Sequence, residues 1–359
     1  MQPVDLRSDT VTRPTQAMRQ AMAEAEVGDD MMHEDPTVNR LEAMMAELFG
    51  HEAAIFACSG TQSNQMGVRV HCIPGDELLI NETGHIANFE GGGPAALSGV
   101  TVRTIFADDG KLDISDLEGR IRTNDQHYPR TRLLCLENTT NIGGGRVYSL
   151  EHLQRVSDWA FNNGLKRHLD GARIFNATVA GGYSAKHVGA CFDTISICFS
   201  KGLGCPMGSI LIGSREDIVR ARRIRKLFGG SLRQAGIVAA AAVYAMEHNI
   251  ARLKDDHDNA KQMALGLQSI AGVTVDVDAV ESNLVFFHID AQLGTAVQFV
   301  AAMREQGILI MPMGGQRVRA VTHLDVNADD IVRTLDTVRS CVATGFRDRA
   351  TVGAGPYAK

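Results

Sequence analysis

Short apolar runs alternate with longer helical patterns over most of this chain, and that alternation limits its fold more than any other feature. Strands are expected at residues 53–57, 77–81, 100–106, 132–137, 167–170, 194–199 and 209–213, with helical patterns at 37–49, 62–70 and 150–163. Gly50 reads as a C-cap, and Pro74-Gly75-Asp76 as a turn. Strands interleaved with helices imply βαβ units, an α/β fold whose mostly parallel sheet is covered on both faces. After Gly229-Gly230 the pattern changes. An Ala-rich stretch over 234–272 reads as one long helix or two in succession. Strands at 274–277, 283–289, 308–312 and 317–322 follow, with helices at 295–306 and 329–343, which describes an α+β domain. The expected division is an N-terminal arm and large domain over 1–245, a small domain over 246–345 and a loose tail over 346–359.

Bulk properties exclude several functions. With 359 residues, a net charge of −6 and a pI near 6.1, the chain has no electrostatic footprint for nucleic acid. Its densest basic run, Arg220 to Lys226, reads as one solvated or interface-facing helix. Asp5, Arg7 and Asp9 interrupt any secretory signal, and no run approaches the ~18 apolar residues of a membrane span. Seven cysteines without a CxxC pair argue against a disulfide framework or zinc site, and no ligand cluster for any metal stands out. A reducing, cytoplasmic compartment is expected.

Three short strings carry chemistry. In Ser200-Lys201-Gly202-Leu203-Gly204 a lysine follows an apolar strand and precedes two glycines. Alone this reads better as a surface lysine at a strand-to-loop transition, but a lysine there can also serve as an amine nucleophile, with glycines admitting a bulky group beside it. In His168-Leu169-Asp170-Gly171-Ala172-Arg173 another strand ends on a carboxylate, and His168 and Asp170 share a face. Strand C-termini line the ligand crevice of a parallel sheet. Asp170 there is either an N-cap or the partner that keeps a pyridoxal-phosphate ring nitrogen protonated. Ser59-Gly60-Thr61, between strand and helix, offers backbone N–H groups to an anion, although it is neither of the common nucleotide loops. His85, in the loop after the strand 77–81, stands where a ring stacking on the pyridine face would come from.

Together with these strings, the opening Asp5-Leu6-Arg7-Ser8-Asp9-Thr10-Val11-Thr12-Arg13-Pro14 resembles the signature of the low-specificity L-threonine aldolases. Glu34-Asp35-Pro36-Thr37, Leu136-Glu137-Asn138-Thr139, Arg233-Gln234 and Arg319-Ala320-Val321-Thr322-His323 extend the resemblance in register from about Asp5 to Val338. It implies a fold type I pyridoxal-phosphate enzyme that cleaves L-threonine and L-allo-threonine to glycine and an aldehyde. It assigns the Schiff base to Lys201, the pyridine nitrogen to Asp170 and ring stacking to His85. Phosphate contacts fall to Gly60, Thr61 and Ser200, and the substrate carboxylate to Ser8, Arg173 and Arg319. Lys226 and Arg233 align with basic residues supplied near the phosphate across a subunit interface, in a tetramer built from dimers. The base at the β-hydroxyl is His85, His127 or a water they orient.

The sequence departs from similar ones at Met32-His33, at Thr140 and in Ile142-Gly143-Gly144-Gly145, loops expected to border the substrate side chain. Thr140 in place of a bulkier imidazole is expected to leave room around the departing aldehyde. A phenylserine-type aldolase is therefore the nearest alternative, followed by a racemase or transaminase on the same fold.

Overall fold

The computed structural model describes residues 2–346 and divides the chain into two compact units, Pro14–Ile250 and Met1–Arg13 with Ala251–Lys359. The chain opens in the smaller unit with β1 (Val4–Asp5). In the larger unit, β2 (Ala53–Ala57), β3 (Asp76–Asn81), β4 (Thr101–Ile105), β5 (Arg130–Glu137), β6 (Lys166–Asp170), β7 (Thr194–Cys198) and β8 (Ser209–Gly213) form one sheet. Their order is β2-β8-β7-β6-β5-β3-β4, and β8 alone runs antiparallel to its neighbours. These strands lie within two residues of their expected ends. Every residue of β3, β7 and β8 is buried, as befits strands covered on both faces.

Helix Gly60–His71 shows how the sequence builds this unit. The Ser59 hydroxyl accepts from the Gln62 N–H and starts the helix. Met66 and Val70 then pack with Ile55, Ala57 and Leu211, while Val68 packs with Leu78, Leu133 and Cys135. Gly67 lets the helix ride close over β6, because a Cβ there would lie 2.4 Å from the His168 imidazole. That ring is pinned by Thr194 and Asn64 and has little room to yield. Gly67→Ala gains roughly 1 kcal/mol of helix propensity but overpacks a rigid site at about 1–3 kcal/mol. With overpacking at the upper end of that range, about 3 kcal/mol, offset by the propensity gain of about 1 kcal/mol, urea unfolding is expected to show a net loss of about 2 kcal/mol.

In the smaller unit, β9 (Val273–Thr274), β10 (Leu284–Ile289), β12 (Met311–Pro312) and β13 (Arg317–Val321) form an antiparallel sheet in the order β12-β13-β10-β9. Helices Leu253–Gln268, Ala296–Glu305 and Ala328–Thr344 close a core that includes Phe287, Phe299 and Leu267.

Three expectations need correction here. The single strand expected at 308–312 is two, since β11 (Ile308–Leu309) pairs in parallel with β1 and only Met311–Pro312 joins β13. That pairing draws residues 1–13 into the smaller unit rather than the large domain, and the division falls after Ile250 rather than 245. The Ala-rich stretch takes the second of its two expected forms, two helices in succession, Gly236–His248 and Leu253–Gln268. The tail does not begin at 346, because Phe346 is buried against Phe299 with ring centroids 5.2 Å apart; its remaining residues lie outside the described ones.

Candidate active site

Within the larger unit the parallel strands bring five loops to one edge, the one beyond their C-terminal ends. Gly60 follows β2, His85 follows β3, Glu137 ends β5, Asp170 ends β6, and Lys201 stands three residues beyond β7. Register places Glu137 beside Asp170 and Asp170 beside Ser196. Lys201 is half-buried in a turn closed by the Gly204 N–H donating to its carbonyl at 2.8 Å. Burial pushes the Cys198 thiol up; the charge of Asp170 adds to that, while those of Lys201 and Arg173 oppose it.

Asp170 is not a helix cap. The following helix, Ile174–Gly181, has Arg173 at its N-cap position. Asp170 is buried, with Oδ1 accepting from the Ala172 N–H at 3.1 Å and Oδ2 from Asn64 Nδ2 at 2.8 Å. The other Nδ2 hydrogen of Asn64 reaches Glu90 Oε1, also at 2.8 Å. Glu90 Oε1 in turn lies 2.8 Å from His85 Nδ1, and Gln65 donates to Glu90 Oε2 at 2.5 Å. Burial disfavours a charged His85 ring, but the Glu90 hydrogen bond and the charges of Asp170 and Glu90 outweigh it and raise the pKa; Lys201 opposes them.

Behind Asp170 the network is neutral. His168 Nε2 meets Asn64 Oδ1 at 3.2 Å and its Nδ1 meets Thr194 Oγ1 at 2.9 Å, where His71 Nε2 also arrives at 2.9 Å. Burial and the neighbouring His71 push His168 down to about 3, and burial pushes His71 to about 4. Both rings are neutral near pH 7. Glu137, whose pKa is raised by burial and by Asp170, accepts from the His85 N–H at 2.7 Å and the Asn141 N–H at 2.6 Å. It thereby ties two loops of the site together.

At Gly60 a Cβ would lie 2.4 Å from Cys198 Sγ, so only glycine starts the helix this close to β7. The Gly60 and Thr61 N–H groups head that helix, where an anion is favoured. A buried, doubly hydrogen-bonded carboxylate, an adjacent imidazole, a lysine and an anion cradle fit pyridoxal phosphate. The ligand atoms of His85, Glu90 and Asp170 also lie within 4.8 Å of one another, a grouping the sequence did not announce.

Other expected site residues come from other segments. His127 is in a loop with its side chain 75% exposed and its Nδ1 2.6 Å from Asp125 Oδ1, apart from the His85 network. Lys226 and Arg233 are exposed beside the segment Asp29–Met31, Lys226 Nζ 3.7 Å from Met31 Sδ and Arg233 Nη1 2.8 Å from Asp29 Oδ2. Ser8 and Arg319 belong to the smaller unit. There the Ser8 hydroxyl accepts from the Thr10 N–H at 3.2 Å, and the fully buried Arg319 donates to the Arg7 carbonyl at 3.1 Å. Thr140 is buried, its hydroxyl spanning the Asp109 carbonyl and Arg146 N–H, so its own turn occupies it.

Sequence reasoning missed Asn64, Gln65, Glu90 and Glu137 as working members of this site. One signal was available: Ser63-Asn64-Gln65 puts three polar residues in a helix whose next positions, Met66, Val68 and Val70, are apolar and buried.

A mostly parallel α/β unit with Lys201, Asp170 and His85 at its strand ends defines the fold type I pyridoxal-phosphate class. Residues 5–290 match the beta-eliminating lyase family model. The chain is 43% identical to the low specificity L-threonine aldolase of Escherichia coli K12, over 95% of this chain and 99% of that one. It is 42% identical to low-specificity L-threonine aldolase 1 of Arabidopsis thaliana, over 96% and 98%. A threonine aldolase structure from Leishmania major superimposes with a TM-score of 0.83 at 20% identity, covering 95% of this chain and all of that one. The chain belongs to the threonine aldolase group of the beta-eliminating lyases.

Proposed function

We propose that this chain uses pyridoxal phosphate to cleave L-threonine, L-allo-threonine and related L-β-hydroxy-α-amino acids to glycine and an aldehyde. The observation that carries this reading is the joint placement of Lys201, Asp170 and His85 at the C-terminal edge of one sheet, in a chain of this family. When bound, the cofactor supplies the electron sink for the pair released as Cα–Cβ breaks. Lys201 is the amine that anchors it, Asp170 meets its ring nitrogen, and Gly60, Thr61 and Ser200 receive its phosphate. Arg173 offers a guanidinium to the substrate carboxylate; the same role for Ser8 and Arg319 rests on the sequence resemblance alone.

Because His85 Nδ1 is held by Glu90, Nε2 is the ring atom available to take the β-hydroxyl proton. His127 is the alternative, and the exposed position of its ring in one chain makes it the weaker one. Exposure of Lys226 and Arg233 agrees with a role towards a neighbouring subunit in a homotetramer. Seven cysteines held as thiols suit the reducing cytoplasm. Among the described residues no helix is long and apolar enough to cross a membrane.

The reading is tested by glycine release from threonine, allo-threonine and phenylserine. Release from neither threonine diastereomer would overturn it. His85→Phe is expected to lower kcat by about 10²-fold or more, the low end for a positioned acid–base group, and to change the ratio of kcat/KM for the two diastereomers. If neither His85→Phe nor His127→Phe moves that ratio, an ordered water becomes the better account of the proton transfer.

A further inference from the structure

We infer that Glu90 is a positioning residue, holding the His85 ring with Nδ1–H towards its own carboxylate and Nε2 towards the reacting groups, and that Asn64 locks this pair to Asp170. The inference rests on the proposed aldolase chemistry and assigns work to two residues outside its direct contacts.

The geometry carries it. Glu90 is buried and its carboxylate faces three donors: His85 Nδ1, Asn64 Nδ2 and Gln65 Nε2. A carboxylate so surrounded accepts from Nδ1, which leaves Nε2 with the lone pair in the neutral ring. Asn64 uses its two amide hydrogens on two different carboxylates, Glu90 Oε1 and Asp170 Oδ2, and its own oxygen faces His168 Nε2. Burial and the neighbouring His71 keep His168 neutral and Thr194 fixes its ring, so the Asn64 amide cannot turn without losing all three partners. One amide thus sets both the ring expected to stack on the cofactor and the carboxylate expected beneath its nitrogen. The charged groups acting on the His85 ring are Glu90, Asp170 and Lys201, and Glu137 holds its backbone N–H.

Glu90→Gln separates charge from shape. Gln65 Oε1 is buried without a hydrogen-bond partner, so a flip of the Gln65 amide can receive the new NH2 while the other oxygen still accepts from His85. In 15N-histidine-labelled holoenzyme, with His85→Phe assigning the signal, wild type and Glu90→Gln are expected to share the Nδ1–H tautomer. Glu90→Gln is expected to take up the second ring proton at a pH lower by about one unit or more, since a facing charge is gone. The acid limb of kcat/KM is expected to move with it. Asn64→Leu, which leaves both carboxylates without their shared donor, is expected to lower kcat about 10- to 100-fold, with cofactor still bound.

An Nε2–H tautomer in wild type overturns the inference. So does a pH profile unmoved in Glu90→Gln together with a normal kcat in Asn64→Leu. If Asn64→Leu does not fold, the tautomer and the Glu90→Gln profile decide alone. Should wild type release no glycine from threonine, the aldolase reading has failed instead, and the tautomer still reports on Glu90.

Discussion

Lys201→Ala is expected to abolish glycine release from threonine, together with the visible absorbance that the holoenzyme owes to lysine-bound cofactor. Lys201 stands in the turn beyond β7, which pairs with the strand that ends on Asp170, so the two belong to the same edge of the sheet. No other lysine lies within the strings that form this edge of the sheet: Lys226 is exposed beside Met31, and Lys166 begins β6 at the opposite end and pairs with Asp193. The loss is expected to reach at least about 10²–10⁴-fold, the range for a positioned group that moves protons in the rate-limiting step. Cofactor added in excess is not expected to restore it. A variant that keeps turnover and absorbance would show that the cofactor is carried elsewhere.

Asp170→Ala is expected to lose at least about 10²-fold in kcat, because nothing then keeps the ring nitrogen protonated. It also strands two donors, Asn64 Nδ2 and the Ala172 N–H, at about 1–3 kcal/mol each if they stay dry. Chemistry and stability are separated by Asp170→Asn. Its single oxygen can still accept from Asn64, though not from the Ala172 N–H as well, so urea unfolding is expected to recover part of the lost stability while kcat stays low. Were Asp170 merely a cap, the cost would be ~0.5–2 kcal/mol of stability with kcat unchanged. The absence of a side-chain cap on helix Ile174–Gly181 already opposes that alternative.

Strands β3, β7 and β8 were legible because burial on both faces leaves short runs with few polar interruptions, bounded by turn signals. Lys201, Asp170 and Gly60 were legible for a related reason. Each sits at or within three residues of the C-terminal end of a strand, and in a parallel sheet those positions share one edge. The hidden parts are those whose meaning depends on distant partners. Whether 308–312 makes one strand or two depends on Val4 and Asp5, some 300 residues away, offering β11 a partner. Glu90 reads locally as the acidic end of a glycine-rich loop, yet it is buried beneath three donors from two other segments.

The sequence by itself determined the α/β alternation, the chemistry-bearing lysine, carboxylate and glycines, and membership in the aldolase group, because those depend on residue type, order and period along the chain. The tertiary structure decided which polar side chains share protons. It gave Asp170 to Asn64 rather than to a helix end, joined His85 to Glu90, and left His127 with Asp125 in the open. A buried hydrogen bond needs donor and acceptor within about 3 Å and away from water, and only the folded chain sets both conditions.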